Sequence, residues 1–114
     1  MQYDVKKSLL DAQSACQAIQ EFTAGHTLES YQQNLRDRSA VERQFEIVGE
    51  AFVRINNADP SFRDSLPEMR DIIGMRNRII HGYDHVADVV VWNAAKGSVP
   101  ALMAKLAEWL DESR

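Results

Sequence analysis

Between positions 76 and 85 the chain gathers Arg76, Asn77, Arg78, His81, Tyr83 and His85, with Asp84 the one carboxylate among them. These side chains can do chemistry together. Histidine titrates near neutrality and can accept or release a proton. Arginine stays charged and presents a planar fork of donors that matches a phosphate. Tyrosine can donate to a phosphate or stack on a base. The set suits phosphoryl chemistry on RNA without a metal. That reaction needs a base for the 2′-hydroxyl proton, an acid for the departing 5′-oxygen, and a cation for the charge that gathers on the phosphorus oxygens. Because the 2′-hydroxyl is the nucleophile, the expected substrate is RNA and not DNA.

Competing chemistries find little support. His26, His81 and His85 are the only histidines, and the 81/85 pair lacks the intervening glutamate of a helical zinc-protease motif. The single cysteine, Cys16, excludes an internal disulfide and a thiolate zinc cluster. There is no glycine-rich phosphate loop and no nucleophile-elbow pattern. The expectation is therefore no metal and no cofactor.

These residues must be positioned by helices. Five Gly and three Pro in 114 residues are too few for many short strands and turns. Val5, Leu9, Ala12, Cys16 and Ile19 step by four and three along one helical face, with Gly25 just past its end. Cys16 falls on that stripe and reads as a small buried hydrophobe. A short helix is expected from Leu28 to about Leu35. Val41, Phe45, Val48, Phe52 and Ile55 repeat the same stepping until Asn56-Asn57-Ala58-Asp59-Pro60 breaks it. A third long helix opens at Ser65-Leu66-Pro67-Glu68, where Ser65 and Glu68 have capping-box spacing, and ends near Gly82. A short helical piece spans about Asp88 to Lys96, and Gly97-Ser98 is expected to separate it from the last helix. There Val99, Met103, Leu106 and Leu110 form the inner stripe, widened by Leu102 and Trp109. Four amphipathic helices on short connections can bury their stripes only against one another. The expected fold is an all-α antiparallel four-helix bundle with additional short helices, one domain over residues 1–114.

Bulk composition bounds the function. A hydrophobic share of 45% and a charged share of 26% exclude wholesale disorder. The N-terminus carries charges where a secretion signal needs an apolar run, and no stretch matches a membrane span. A soluble, cytoplasmic protein with no membrane partner is expected. The net charge of −4 argues against a broadly basic nucleic-acid binder, so any RNA must meet a local basic pocket.

The third helix carries the anomaly. Its stripe reads Met69, Ile72, Arg76, Ile79, Tyr83, placing an arginine mid-seam where ionised side chains are rare unless paired. Arg76 could snorkel, or pair with a core carboxylate such as Glu50, in which case it is structural. Asn77 and His81, four apart, share a face, so Asn77 could orient the His81 ring. Arg76 and His81, five apart, point about 140° away from each other on a straight helix. Either the chain bends after Gly82 and regroups them, or two copies meet across a dimer and each supplies part of the site. The second is favoured here, with a local bend contributing.

Arg76, four intervening residues, His81, one residue and Tyr83 resemble the R-x4-6-H-x-Y signature of the HEPN superfamily, best its HepT-like branch of toxins. Asn77 fits that branch's preference for a polar residue after the arginine. The resemblance extends to Ala40-Val41-Glu42-Arg43 and Val48-Gly49-Glu50-Ala51, and to Asp88-Val89-Val90-Val91-Trp92 and Val99-Pro100-Ala101-Leu102. It implies a helical bundle that dimerises with two motifs facing across a cleft. It also implies metal-independent endoribonuclease activity leaving a 2′,3′-cyclic phosphate. Arg76 and His81 would be catalytic, with Asn77 supporting and Tyr83 part of the site; beside them Arg78 is a further supporting, substrate-binding candidate on its charge. The implied partner is a minimal nucleotidyltransferase antitoxin, which in some members transfers AMP to the motif tyrosine, here Tyr83. Two other readings stand beside it. One is a non-catalytic nucleotide- or substrate-binding subunit of a nucleotidyltransferase, favoured by the acidic net charge. The other is a purely structural helical dimer.

Overall fold

In the computed structural model, residues 3–64, 67–81 and 87–112 are described, without the side chains of Tyr3, Arg63, Asp64, Pro67 and His81. The four long helices are α1 (Tyr3–Thr23), α3 (Leu35–Ala58), α4 (Pro67–His81) and α6 (Val99–Glu112). Between them lie the short helices α2 (Leu28–Gln32) and α5 (Asp88–Asn93), a 3-10 turn at Pro60–Asp64 and a π turn at Ala94–Ser98. Among the described residues there is no strand. The all-helical bundle is the expected architecture.

The α1 and α3 stripes are buried residue for residue as their spacing predicts, from Val5 to Ile19 and from Val41 to Ile55. After α1, Gly25 takes φ +78, a left-handed conformation that glycine adopts without a Cβ clash. The Thr23 hydroxyl donates back to the Ile19 carbonyl at 2.9 Å. The short helix stops at Gln32, earlier than expected, because the chain starts again on a new cap. The Asn34 side chain accepts from the Asp37 N–H at 2.9 Å and opens α3. The α2 start is a reciprocal capping box between Thr27 and Ser30. The capping box expected at α4 depends on Ser65, which lies outside the described residues.

Two expectations about the C-terminal half need correction. Gly97-Ser98 do not break the chain; α5 runs through the π turn directly into α6. Pro100 cannot donate to the Lys96 carbonyl and crowds it, and the wider turn just ahead accommodates that misfit. The buried stripe then runs unbroken through Val91, Ala95, Val99, Leu102, Leu106 and Trp109. Leu102 and Trp109 are therefore the inner residues of α6. Met103 and Leu110 flank them as partly buried neighbours.

In space the long helices neighbour one another in the order α4–α3–α1–α6. Aromatic contacts tie the ends together, Phe62 meeting Trp109 edge-on at 5.0 Å between centroids. The α5 segment is fastened to the α1–α2–α3 end of the bundle. Trp92 packs on Tyr31 at 5.2 Å, Lys96 sits over the Trp92 ring and donates to the Thr23 carbonyl, and Arg38 pairs with Asp88 at 3.5 Å. The side of α5 facing α4 is left open, and a groove of about 350 Å³ separates them.

Candidate active site

The seam between α3 and α4 is built around Gly49 and Arg76. A Cβ placed on Gly49 would come within 2.4 Å of the Arg76 Cβ and 2.8 Å of its Cγ. No helix pair tolerates that approach, so only glycine lets α4 lie this close. A glycine inside an otherwise apolar helical pattern costs about 1 kcal/mol relative to alanine and signals a packing reason. That was the sequence signal for a packing role at Gly49 that the motif alone does not reveal.

Arg76 is half-buried. Its stem lies against Gly49, its Nη1 donates to the Asn77 Oδ1 at 2.7 Å, and its buried Nε has no hydrogen-bond partner among the described residues. The structural pairing with Glu50 is not made. Glu50 is exposed and lies 3.9 Å from Arg54 instead. Asn77 thus holds the guanidinium on a neighbouring residue. Whether it also touches His81 depends on a side chain outside the described residues, as do the placements of Gly82, Tyr83 and His85. Position 81 closes α4, which sets it about 140° around the axis from Arg76.

The described arginines divide sharply. Arg36 pairs with Asp37, Arg38 with Asp88, Arg43 with Glu46, and Arg54 with both Glu50 and Asp11. Arg70, Arg76 and Arg78, all on α4, have no carboxylate partner among the described residues. In a chain of net charge −4, the described guanidinium groups without a carboxylate partner among the described residues are those of the motif helix.

Elsewhere, His26 lies between Asp37 (Nε2 to Oδ2, 2.6 Å) and Ser30 (Nδ1 to Oγ, 2.8 Å). The order has the look of a hydrolytic triad, but the Ser30 hydroxyl already accepts the Thr27 N–H as half of the capping box. The relay is a clasp joining the α1–α2 turn to α3. It holds the Asp37 carboxyl below its usual value, chiefly through the His26 hydrogen bond. Cys16 is fully buried, and burial pushes its thiol up to about 12, so it packs and does not react. Among the described residues no three His, Cys, Asp or Glu side chains cluster as metal ligands, and no helix is long and apolar enough to cross a membrane.

A helical bundle presenting, on a helix that ends in the R-x4-H spacing, arginines without a carboxylate partner among the described residues defines a class, and comparison with known proteins agrees. The chain belongs to the HepT-like ribonuclease family, which matches residues 12–108. A Methanocaldococcus jannaschii protein provisionally named an RNase is 34% identical over 101 residues, covering 87% of this chain and 90% of that one. The "Probable ribonuclease HepT" of Thermococcus cleftensis is 33% identical over 100 residues, 88% of this chain and 90% of its own. A Caldanaerobacter subterraneus protein, also provisionally named an RNase, is 27% identical over 101 residues. No solved structure gives a significant match.

Proposed function

We propose that this protein is a metal-independent endoribonuclease, the toxin of a toxin–antitoxin pair acting in the cytoplasm. The observation that carries the reading is the Arg76 guanidinium, without a carboxylate partner among the described residues and anchored by Gly49 and Asn77 on the helix that ends at His81. A twofold pair of chains supplies two Arg76 and two His81, which resolves the angle that separates them on one helix. Exposed Ile80 and Val89, on either side of residues 82–86 in the sequence, give such a pair an apolar contact.

In the reaction, one imidazole takes the 2′-hydroxyl proton as that oxygen attacks phosphorus. The bond to the 5′-oxygen breaks, and the second imidazole, protonated, gives that oxygen its proton. The products are a 2′,3′-cyclic phosphate and a free 5′-hydroxyl, with no water consumed. Arg76 stabilises the charge on the phosphorus oxygens, while Asn77 and Arg78 position the site and the substrate. Tyr83 is the control point. A minimal nucleotidyltransferase antitoxin that transfers AMP to it brings negative charge and bulk to where substrate phosphate binds.

The test is cleavage of RNA in chelator by the wild type, His81→Ala and Arg76→Met, with melting temperature recorded for each. His81→Ala is expected to lose roughly a hundredfold or more in rate. Arg76→Met should lose activity yet hold or gain stability, since it removes a buried Nε without a partner. Undiminished cleavage by His81→Ala sinks the assignment. Nucleotide binding without any cleavage by the wild type favours the non-catalytic subunit instead.

A further inference from the structure

Arg70, Gly74 and Arg78 follow one another at intervals of four along α4 and are all exposed. At about 100° per residue they occupy an arc of about 80°, and position 81 falls inside the same arc. This is the face turned away from α3, whose side of α4 holds Met69, Ile72 and Arg76. All three residues line the groove between α4 and the α5–π-turn segment, together with Met75, Val90 and Ser98. Neither guanidinium has a carboxylate partner among the described residues, although Asp71 also stands in the groove wall. Between the two arginines, about 12 Å apart along the axis, Gly74 leaves a notch: a Cβ there would meet no atom within 4 Å. Unlike Gly49, this glycine admits no helix of the described chain.

We propose that the groove along Arg70, Gly74 and Arg78 is the track for a single-stranded stretch of RNA leading to the bond cleaved at His81. Arg70 and Arg78 would each bind a phosphodiester, and the bare backbone at Gly74 lets the strand lie close to the helix. Val90 and Met75 offer an apolar wall on which a base can rest. In naming RNA as the polyanion the inference rests on the ribonuclease reading.

The experiment measures fluorescence anisotropy of a labelled 2′-O-methyl RNA oligonucleotide, which cannot be cleaved, against the wild type, Arg70→Gln, Gly74→Gln and Asp71→Asn. Arg70→Gln should bind roughly tenfold more weakly, and the slope of log K against log salt should fall by about 0.7. Gly74→Gln should fill the notch and weaken binding while its melting temperature holds or rises, which no damage to folding produces. Asp71→Asn should tighten binding. Unchanged affinity in Arg70→Gln and Gly74→Gln overturns the proposal. So does a change in oligomeric state in place of RNA affinity, which makes the groove a protein interface. Cleavage of ordinary RNA by the same proteins separates the two readings. Intact cleavage with groove variants indistinguishable from wild type keeps the ribonuclease and removes the track. Groove-dependent binding without cleavage does the reverse.

Discussion

Helices α1 and α4 both pack against α3, and they do so in different ways. Every residue of the α1 stripe is apolar and almost wholly buried, and α1 also meets α6, so it lies at the centre of the bundle. The α4 stripe begins in the same style with Met69 and Ile72, then admits Arg76 against a glycine. Beyond α3 and the 3-10 turn, α4 has no extensive packing partner among the described residues. The charges follow the same division. Arginines on α3 are neutralised within the molecule, whereas those on α4 have no carboxylate partner among the described residues. The side chains of α1 and α3 hold the fold, while α4 carries arginines that no carboxylate among the described residues compensates.

The sharpest way to break this comparison is a deletion in the central core. Phe52, fully buried on α3, should cost about 3–5 kcal/mol when replaced by alanine, measured by denaturant unfolding. A loss below about 1 kcal/mol means that the core is not centred where α1 and α3 meet.

A smaller effect is expected at the α3–α4 seam, where two glycines should respond in opposite directions. Gly49→Ala must push α4 away from α3 and should destabilise by about 1–3 kcal/mol despite alanine's higher helix propensity. Gly74→Ala meets open space and should stabilise by up to about 1 kcal/mol. If both substitutions stabilise, the close approach at Arg76 is not real.

The smallest effect belongs to the His26 clasp. The Asp37 carboxyl is held below its ordinary 3.8, so its contribution is complete above about pH 4 and is lost as pH falls through the lower native value. Asp37→Asn should therefore be less stable than wild type at about pH 6, and the difference should shrink by about pH 3. A difference that grows on acidification contradicts the clasp.

Much of the fold was legible because apolar spacing in α1 and α3 is a local property that tertiary contacts had only to satisfy. Where local rules met a local exception, reading failed. Gly97-Ser98 look like a helix stop, yet the apolar register continues through them once a π turn takes up the misfit of Pro100. The α6 stripe was shifted for the same reason, since its inner face is set by the direction in which α5 enters.

The candidate site divides along that line. Arg76, Asn77, Arg78, His81 and Tyr83 can be picked from the sequence because their types and spacing are themselves the signal, and helical periodicity alone separates Arg76 from His81. Spacing does not say whether a mid-seam arginine is paired, because a partner such as Glu50 is chosen by how two helices approach and not by either one's sequence. Only the tertiary arrangement leaves Glu50 to Arg54, seats the Arg76 stem on Gly49, and opens the groove in which Arg70 and Arg78 stand without a carboxylate partner among the described residues. Periodicity is written into each helix, but the distance and rotation between helices arise from packing, and the charge of the site depends on both.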